Sequence, residues 1–442
     1  MAIFVFGDYR LDTDRYLLLG RNGEPVEIRR KGFKILAALV RHNLLKPGVP
    51  LTRDELIDEV WGVGVAVQPR TLDKHVNNLK QLLKKHDTTG REYIEQVYGV
   101  GYKLLIKVSK AVRPHGTKAE ENFEWGCDLL DRHTTEASLL NAIKCFQEAY
   151  KEDPNHAAAM AYEAITYIWL SIFSWSAPQD ILPKAVECAG KALALDNTLS
   201  VAHAAQAFTI WLNDQDCDRK WKEAGKHFER AIELDQQNNQ DCAVAYRGYS
   251  LWLAAQGRFE EADKSIERAL EIKRVSFINN AVKGVVLYEW REYNRCFEHL
   301  RTIIDRESHL DAAYYLLALT CEQKGLFKEA ISRIREGKEV SEENFLYQLL
   351  LAHYHAVWGE RNEAKRLLED LDRRSRQRYI SPFHIALVYV HIDEEEAISR
   401  IKVAIEKKDP WVLLLKVEPR VDRLRGNPRF TDLLQLVCLD PA

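Results

Sequence analysis

A period of 34 residues governs most of this chain. Aligning Ala262 (GRFEEA), Cys296 (EYNRCF), Ala330 (GLFKEA), Ala364 (GERNEA) and Ala397 (EEEA) gives spacings of 34, 34, 34 and 33 residues. Self-similarity at that interval is the signature of stacked helix–turn–helix units. One such pair cannot bury its apolar side alone, and each added pair covers that of its neighbour. Earlier anchors at Ala142, Ala185 and Ala224 are spaced more loosely, by 43 and 39 residues, yet keep the pattern. Ala142-Phe146-Ala149 and Ala224-Phe228-Ala231 repeat one small–large–small stripe. A small residue sits at each anchor because the two helices of a unit cross closely there. Asp153-Pro154 and Asp409-Pro410 punctuate helix ends. The spacing predicts an all-α superhelix of eight units over 121–410, with 411–442 leaving the repeat as a capping segment.

The amino-terminal part follows other rules. Ile3–Phe6, Arg10–Leu11, Tyr16–Leu19 and Pro25–Ile28, the last after an Asn22-Gly23 turn signal, are expected to be short strands. A helix is expected over Arg30–His42, with Phe33, Leu36, Ala37 and Val40 on one face. Pro47-Gly48 breaks the chain, and Thr52-Arg53-Asp54-Glu55 is a capping box opening a second helix that ends near Trp61. After the loop Val63–Gln68, Pro69 opens a third helix, where its missing N–H is harmless. In that helix, Pro69–Leu83, residues Leu72, Val76, Leu79 and Leu83 form an inward stripe. Thr71, Lys74, His75 and Asn78 form the opposite one, with donors and acceptors of the kind that read base edges. Tyr93–Leu104 (YIEQVYGVGYKL) alternates, turns at Gly99-Val100-Gly101 and returns as a β-hairpin. A polar-faced helix beside a hairpin is the working edge of a winged helix-turn-helix. The expected fold is therefore multidomain: an α+β winged helix-turn-helix over 1–107, a linker over 108–120 (VSKAVRPHGTKAE), then the all-α repeat.

Charge follows the same division. Residues 1–112 carry 19 Lys/Arg against 13 Asp/Glu, and the remainder 44 against 53. A basic head on an acidic body indicates that the head alone meets a polyanion. The eight cysteines stand singly with no CxxC pair, which argues against zinc, and most fall in helical patterns where a free thiol packs as a small hydrophobe. No apolar run approaches the length of a membrane span and the start lacks a signal-peptide core, so a cytoplasmic, unanchored chain is expected. No phosphate-binding glycine loop, HExxH or GxSxG is present. His353 and His355, two apart on a helix, face different sides and make poor metal ligands. Neither an enzyme nor a cofactor is expected.

Three segments carry a resemblance in correct order: LTRDELIDEVWG (51–62), PRTLDKHVNNLKQLL (69–83) and YIEQVYGVGYKL (93–104), behind the opening FVFGDYRLD (4–12). Residues 3–107 resemble the OmpR/PhoB-type winged-helix family. AIKCFQEAYKEDPNHAAAMAYEAI (142–165) and LRGNPRF (424–430) make the remainder similar to the tetratricopeptide-repeat bodies of CadC/HilA-like regulators. The resemblance implies that the third helix enters the major groove and the wing reaches the minor groove. Arg70 and Thr71 then stand at the start of the recognition helix, and Lys74, His75, Asn77, Asn78, Lys80 and Gln81 along its outer side. Trp61 matches a Trp on the DNA backbone, Lys103 a basic wing position, and Tyr98 stands where the wing often has Arg. Asp73 matches an acid that braces the helix. Asn78, Lys80 and Leu82 stand where the family often has Arg, Arg and Lys, so fewer phosphates are neutralised. The same resemblance makes Val63–Gln68 a contact for RNA polymerase.

The function implied is a one-component transcription regulator that binds double-stranded DNA as a homodimer. The repeat domain would mediate oligomerisation or bind a peptide, protein or small effector. Its aromatics (Trp169, Trp211, Tyr315 and Tyr347 among them) either line a concave groove or fill the repeat core. The alternative is a tetratricopeptide scaffold or adaptor whose winged helix binds protein.

Overall fold

In the computed structural model the described residues are 3–13, 17–20, 26–61, 69–87, 90–111, 117–132, 135–213, 219–274, 276–306, 311–340, 345–375 and 379–439. The chain divides into two compact units, Met1–Gly116 and Thr117–Ala442.

The first unit runs β1 (Ile3–Phe6), β2 (Tyr9–Asp12), β3 (Leu17–Leu19), α1 (Arg30–Leu45), β4 (Leu51–Thr52) and α2 (Arg53–Trp61). It continues through α3 (Pro69–His86), β5 (Ile94–Val97), β6 (Gly101–Leu104) and β7 (Val108–Ala111). One antiparallel sheet has the order β3-β2-β1-β7 and a second has β4-β6-β5. The stretch 26–28 is not a strand, although the Val26 N–H donates to the Leu18 carbonyl at 2.8 Å. The expected linker is corrected at both ends. Residues 108–111 pair with β1, Phe6 opposite Val108, and the first helix of the second unit already begins at Lys118. Alternation in VSKA is too short to register by itself, and its partner strand lies about a hundred residues upstream.

The capping box forms as the spacing demands. The Thr52 N–H donates to Glu55 Oε2 at 2.9 Å, and the Glu55 N–H returns to the Thr52 hydroxyl at 3.2 Å. Leu72, Val76, Leu79 and Leu83 of α3 are all buried against Phe4, Phe6, Leu36 and Val40. Two polar ties fix the packing. The Tyr9 hydroxyl donates to the Leu83 carbonyl at 2.5 Å, and Asn43 Nδ2 donates to the Leu104 carbonyl at 2.9 Å.

Among the described residues the second unit stacks eight helix pairs. They are α4 (Lys118–Arg132) with α5 (Glu136–Glu152), α6 (Ala157–Ile172) with α7 (Pro178–Leu195), and α8 (Ser200–Asn213) with α9 (Ala224–Asn238). Next come α10 (Ala243–Ala255) with α11 (Phe259–Ile272) and α12 (Phe277–Glu289) with α13 (Tyr293–Arg306). The last three are α14 (Asp311–Gln323) with α15 (Phe327–Val340), α16 (Leu346–Val357) with α17 (Arg361–Ser375), and α18 (Pro382–Tyr389) with α19 (Glu394–Glu406). Every anchor is fully buried, and each lies on the second helix of its pair: Ala142, Ala185, Ala224, Ala262, Cys296, Ala330, Ala364 and Ala397. The same closeness explains Gly248 on α10. A Cβ there would stand 2.4 Å from the Phe228 ring and 2.7 Å from that of Phe208.

The segment after α19 does more than cap. Two 3-10 turns, Pro410–Leu414 and Pro419–Leu424, precede α20 (Pro428–Leu436). One side of this segment closes α18 and α19 through Val412, Leu415, Val421 and Phe430. The other side joins the main repeat core through Leu413, Leu414 and Val417. Trp411 Nε1 donates to the Ile172 carbonyl of α6 at 2.9 Å, and Lys408 Nζ to the Asn213 carbonyl at 3.0 Å. Farther on, Arg420 Nη1 donates to the Tyr315 hydroxyl at 3.1 Å, and Trp221 Nε1 to the Val437 carbonyl at 3.2 Å. Among the described residues six cysteines are free thiols, whereas Cys438 is disulfide-bonded, a departure from the free thiols expected. No helix among the described residues is long and apolar enough to cross a membrane.

Candidate nucleic-acid interface

With its apolar stripe buried, α3 turns its other side outward. Arg70, Thr71, Lys74, Asn77, Asn78 and Gln81 are exposed, and His75 and Lys80 are half-buried. Arg70, Lys74 and Lys80 form no ion pair among the described residues, whereas cations such as Lys191, Arg258 and Arg366 are each paired to an acid one turn away. An unpaired cation on a rigid helix keeps its full charge for an incoming anion.

His75 sits at the seam between α3 and α2. Its ring packs on Trp61, with centroids 5.8 Å apart. Lys31 Nζ lies 4.8 Å from the centre of the Trp61 ring and donates to the Val60 carbonyl at 3.2 Å. Burial, and then the nearby cations Lys31, Lys74 and Arg29, hold the His75 imidazole below the usual histidine range. It is therefore neutral at physiological pH and can both donate and accept. Arg29 and Lys31 are the contributors that sequence reasoning missed. A signal existed. Basic residues open α1 and no acid stands in its first turn, although a helix amino terminus favours negative charge.

The helix is held at a fixed angle to the wing. Arg53 Nη2 lies 2.8 Å from Asp73 Oδ1, and the Tyr102 hydroxyl donates to the same oxygen. The Arg53 guanidinium also sits over the Tyr102 ring, 5.6 Å from its centre. Burial, followed by the Asp73 hydrogen bond, pushes the Tyr102 phenol up, so it remains a donor. Asp73 thus joins the start of α2, the middle of α3 and strand β6. A brace of this kind fixes the helix while leaving its outward side unobstructed.

In the wing, the Val100 N–H closes the turn onto the Val97 carbonyl at 3.1 Å. Gly99 has a φ of +72°, a conformation side chains with a Cβ rarely adopt. Gly101 opens β6 rather than ending the turn, and a Cβ there would stand 2.0 Å from the Leu51 carbonyl oxygen. Tyr98 projects from the tip, 98% exposed. Lys103 differs from the cations of α3. It lies opposite Glu95 in the β5–β6 register and is bonded to it at 2.8 Å, so part of its charge is already satisfied. The structure thus brings together Trp61, His75, Lys74 and Arg70 along α2 and α3, and sets Tyr98 and Lys103 on the hairpin. Val63–Gln68 lies outside the described residues.

In the second unit, His353 is buried and bonded to Glu322 at 3.2 Å and to the Leu387 carbonyl, whereas His355 meets Glu360 at 2.6 Å. Of the repeat aromatics, Trp169, Trp211, Tyr315 and Tyr347 are buried, and all four line one apolar pocket.

Residues 23–104 match the family model described as "Transcriptional regulatory protein, C terminal". The amino-terminal unit thus carries an OmpR/PhoB-type winged-helix domain. Residues 217–274 match a tetratricopeptide-repeat model, and the helical unit is a tetratricopeptide-repeat domain. The winged-helix domain is 37% identical over 98 residues to the sensory transduction protein RegX3 of Mycolicibacterium smegmatis. That alignment covers 22% of this chain and 40% of the relative, so the chain spans about two-fifths of the curated relative's length. The DNA-binding domain of E. coli CadC is 26% identical, covering 25% of this chain and 98% of that one, with a TM-score of 0.22. The tetratricopeptide protein YrrB is 16% identical, covering 46% of this chain and 96% of that one, with a TM-score of 0.29. The winged-helix family is one of transcription regulators, and both families are characteristically non-enzymatic.

Proposed function

We propose that this chain is a one-component, sequence-specific transcription regulator whose α3 lies in the major groove of duplex DNA. Arg70, Lys74 and Lys80 meet phosphates. Thr71, His75, Asn77, Asn78 and Gln81 face base edges, Asn being suited to adenine. Trp61 and Lys31 rest on the backbone, and the wing tip at Tyr98 reaches the minor groove, with Lys103 as a weaker contact. The supporting observation is the outward face of α3: cations without partners on a helix that the Arg53–Asp73–Tyr102 group keeps rigid. With few cations per copy, a homodimer over half-sites about one helical turn apart supplies the rest of the affinity. The tetratricopeptide domain carries the input, an effector or a protein, and Val63–Gln68 is offered to RNA polymerase.

The test is a titration of the full chain against duplex DNA at several salt concentrations. A steep fall of affinity with salt is expected. Arg70→Ala with Lys74→Ala should lower the salt slope by about 2, since each phosphate contact contributes about 0.9. A flat salt response with intact folding would favour the adaptor alternative instead.

A further inference from the structure

One consecutive helix pair of the repeat does not stack. Helices α17 and α18 follow each other in the chain yet scarcely touch, whereas every other consecutive pair from α4 to α19 is in contact among the described residues. The shortest helix of the stack is α18, and it leaves α17 and α19 standing apart as the walls of an open groove of about 720 Å³. That is the size of a ligand-binding site. Leu368, Ile380, Ile385 and Val403 give the groove an apolar floor. The floor is held in place by Asp409, which accepts from the Tyr379 hydroxyl at 3.1 Å and from the Ser381 hydroxyl at 2.5 Å, while Ser381 caps α18. Cations stand on both walls, Lys365 and Arg373 on α17 and Arg400 and Lys407 along α19 and its end, against Glu369 as the one acid among the lining residues. Arg373 shares its charge with Asp370 at 3.5 Å and Arg400 with Glu396 at 2.7 Å. Lys365 and Lys407 are exposed and form no ion pair among the described residues. The chain beyond residue 112 is acidic overall, with 44 Lys/Arg against 53 Asp/Glu, so the groove reverses the sign of the unit that carries it.

We propose that this groove binds an acidic, amphipathic peptide segment of a partner protein. The apolar side chains of the segment sit on the floor between α17 and α19, and its carboxylates pair with Lys365 on one wall and Lys407 on the other. An apolar floor between cationic walls matches a chain that carries both apolar and anionic side chains. Nucleic acid is the poorer match, because bases bind such surfaces by stacking on free aromatic faces. In the groove the Tyr379 hydroxyl is tied to Asp409, and the Tyr389 ring carries the Arg400 guanidinium 5.9 Å from its centre. The groove shares no residue with the apolar pocket lined by Trp169 and Trp211. The inference deepens the reading of the tetratricopeptide domain as the input side and rests on that reading, with the input a protein.

The full chain is titrated, without DNA, with a fluorescein-labelled peptide in which Leu and Phe alternate with pairs of Glu, so that failure here and failure of the DNA-binding reading are separate results. Saturable binding of one equivalent is expected by fluorescence anisotropy, weakening as salt is raised from about 0.05 to 0.5 M. Exchanging the peptide's Glu for Gln, or its Leu and Phe for Ala, should weaken binding about tenfold in each case. Lys365→Glu with Lys407→Glu should weaken it by about tenfold or more, two pairs being lost and two repulsions gained. The melting temperature should not move, since neither lysine is paired. The same double variant should bind the peptide carrying Lys in place of Glu more tightly than the parent does, a gain that a damaged fold cannot produce. Lys226→Glu with Lys264→Glu reverses exposed cations outside the groove and should change nothing. Absence of saturable binding, or binding that survives the Lys365 and Lys407 reversal, overturns the site. Single-stranded oligothymidylate that binds more tightly than the peptide, and is lost on the same reversal, overturns the partner class.

Discussion

The outer face of α3 and the inner face of the repeat stack use side chains in opposite ways. On α3 the informative residues are exposed and the cations lack partners, so what they can do is set by charge and hydrogen bonding at a surface. In the repeat, aromatic side chains of comparable number are buried, and what they can do is set by the shape they leave between them. A single substitution on α3 should therefore change recognition with little effect on folding. The same step on an inner helix changes folding first.

The contrast is tested most severely by Phe228→Ala. Phe228 is fully buried between Phe208 and Tyr249. Its truncation should destabilise the helical unit by about 3–5 kcal/mol, measured by urea unfolding, while Arg70→Ala leaves unfolding unchanged. Comparable losses from both would erase the distinction.

Acid should act on the inner region first. Burial lowers His299 to about 4 and His384 well below the usual value. The unfolded chain takes up these protons near pH 6.5 and the native chain does not. Stability is therefore complete above that pH and is lost as pH falls toward about 4. At about pH 5, His299 alone accounts for about 2 kcal/mol. The buried Glu289 carboxyl, raised by burial and by Glu418, acts in the opposite sense, so the histidine effect is read by difference. Against the parent, His299→Gln should gain relative stability as pH falls from about 7.5 to 5, measured as the difference between their urea midpoints. A difference that does not change with pH would mean His299 is already solvated.

The smallest expected effect sharpens the comparison within the interface itself. Lys103 is engaged by Glu95 and Lys74 is not. Lys103→Ala should weaken DNA binding less than Lys74→Ala, and Glu95→Ala should strengthen it by about two- to fivefold, the scale of a surface ion pair. Equal losses at the two lysines would show that Glu95 does not compete with DNA.

The repeat was legible because its anchors answer a local demand: a small residue must stand wherever two helices of a pair cross, and that demand recurs at a fixed spacing. Helix α3 was legible for the same reason, since Leu72, Val76, Leu79 and Leu83 repeat at helical spacing. Distant pairings were not. Strand β7 pairs with β1 across about a hundred residues, and the chain beyond α19 meets α6 across some 240 residues. The Lys103–Glu95 pair lies between these cases. Once the turn is set at residues 98–100, the register places the two opposite each other, so the pairing could have been read from the hairpin.

The return of residues 410–437 to α6 and α8 has a consequence for how the chain is made. A ribosome delivers those residues after every helix they lean on. Until then the inner surface of the early repeats stays open to water and to passing chaperones. The winged-helix head, by contrast, has all its strands and helices by residue 111 and needs nothing that follows to complete its own sheets. Synthesis would thus yield a finished winged-helix unit well before the helical unit can close.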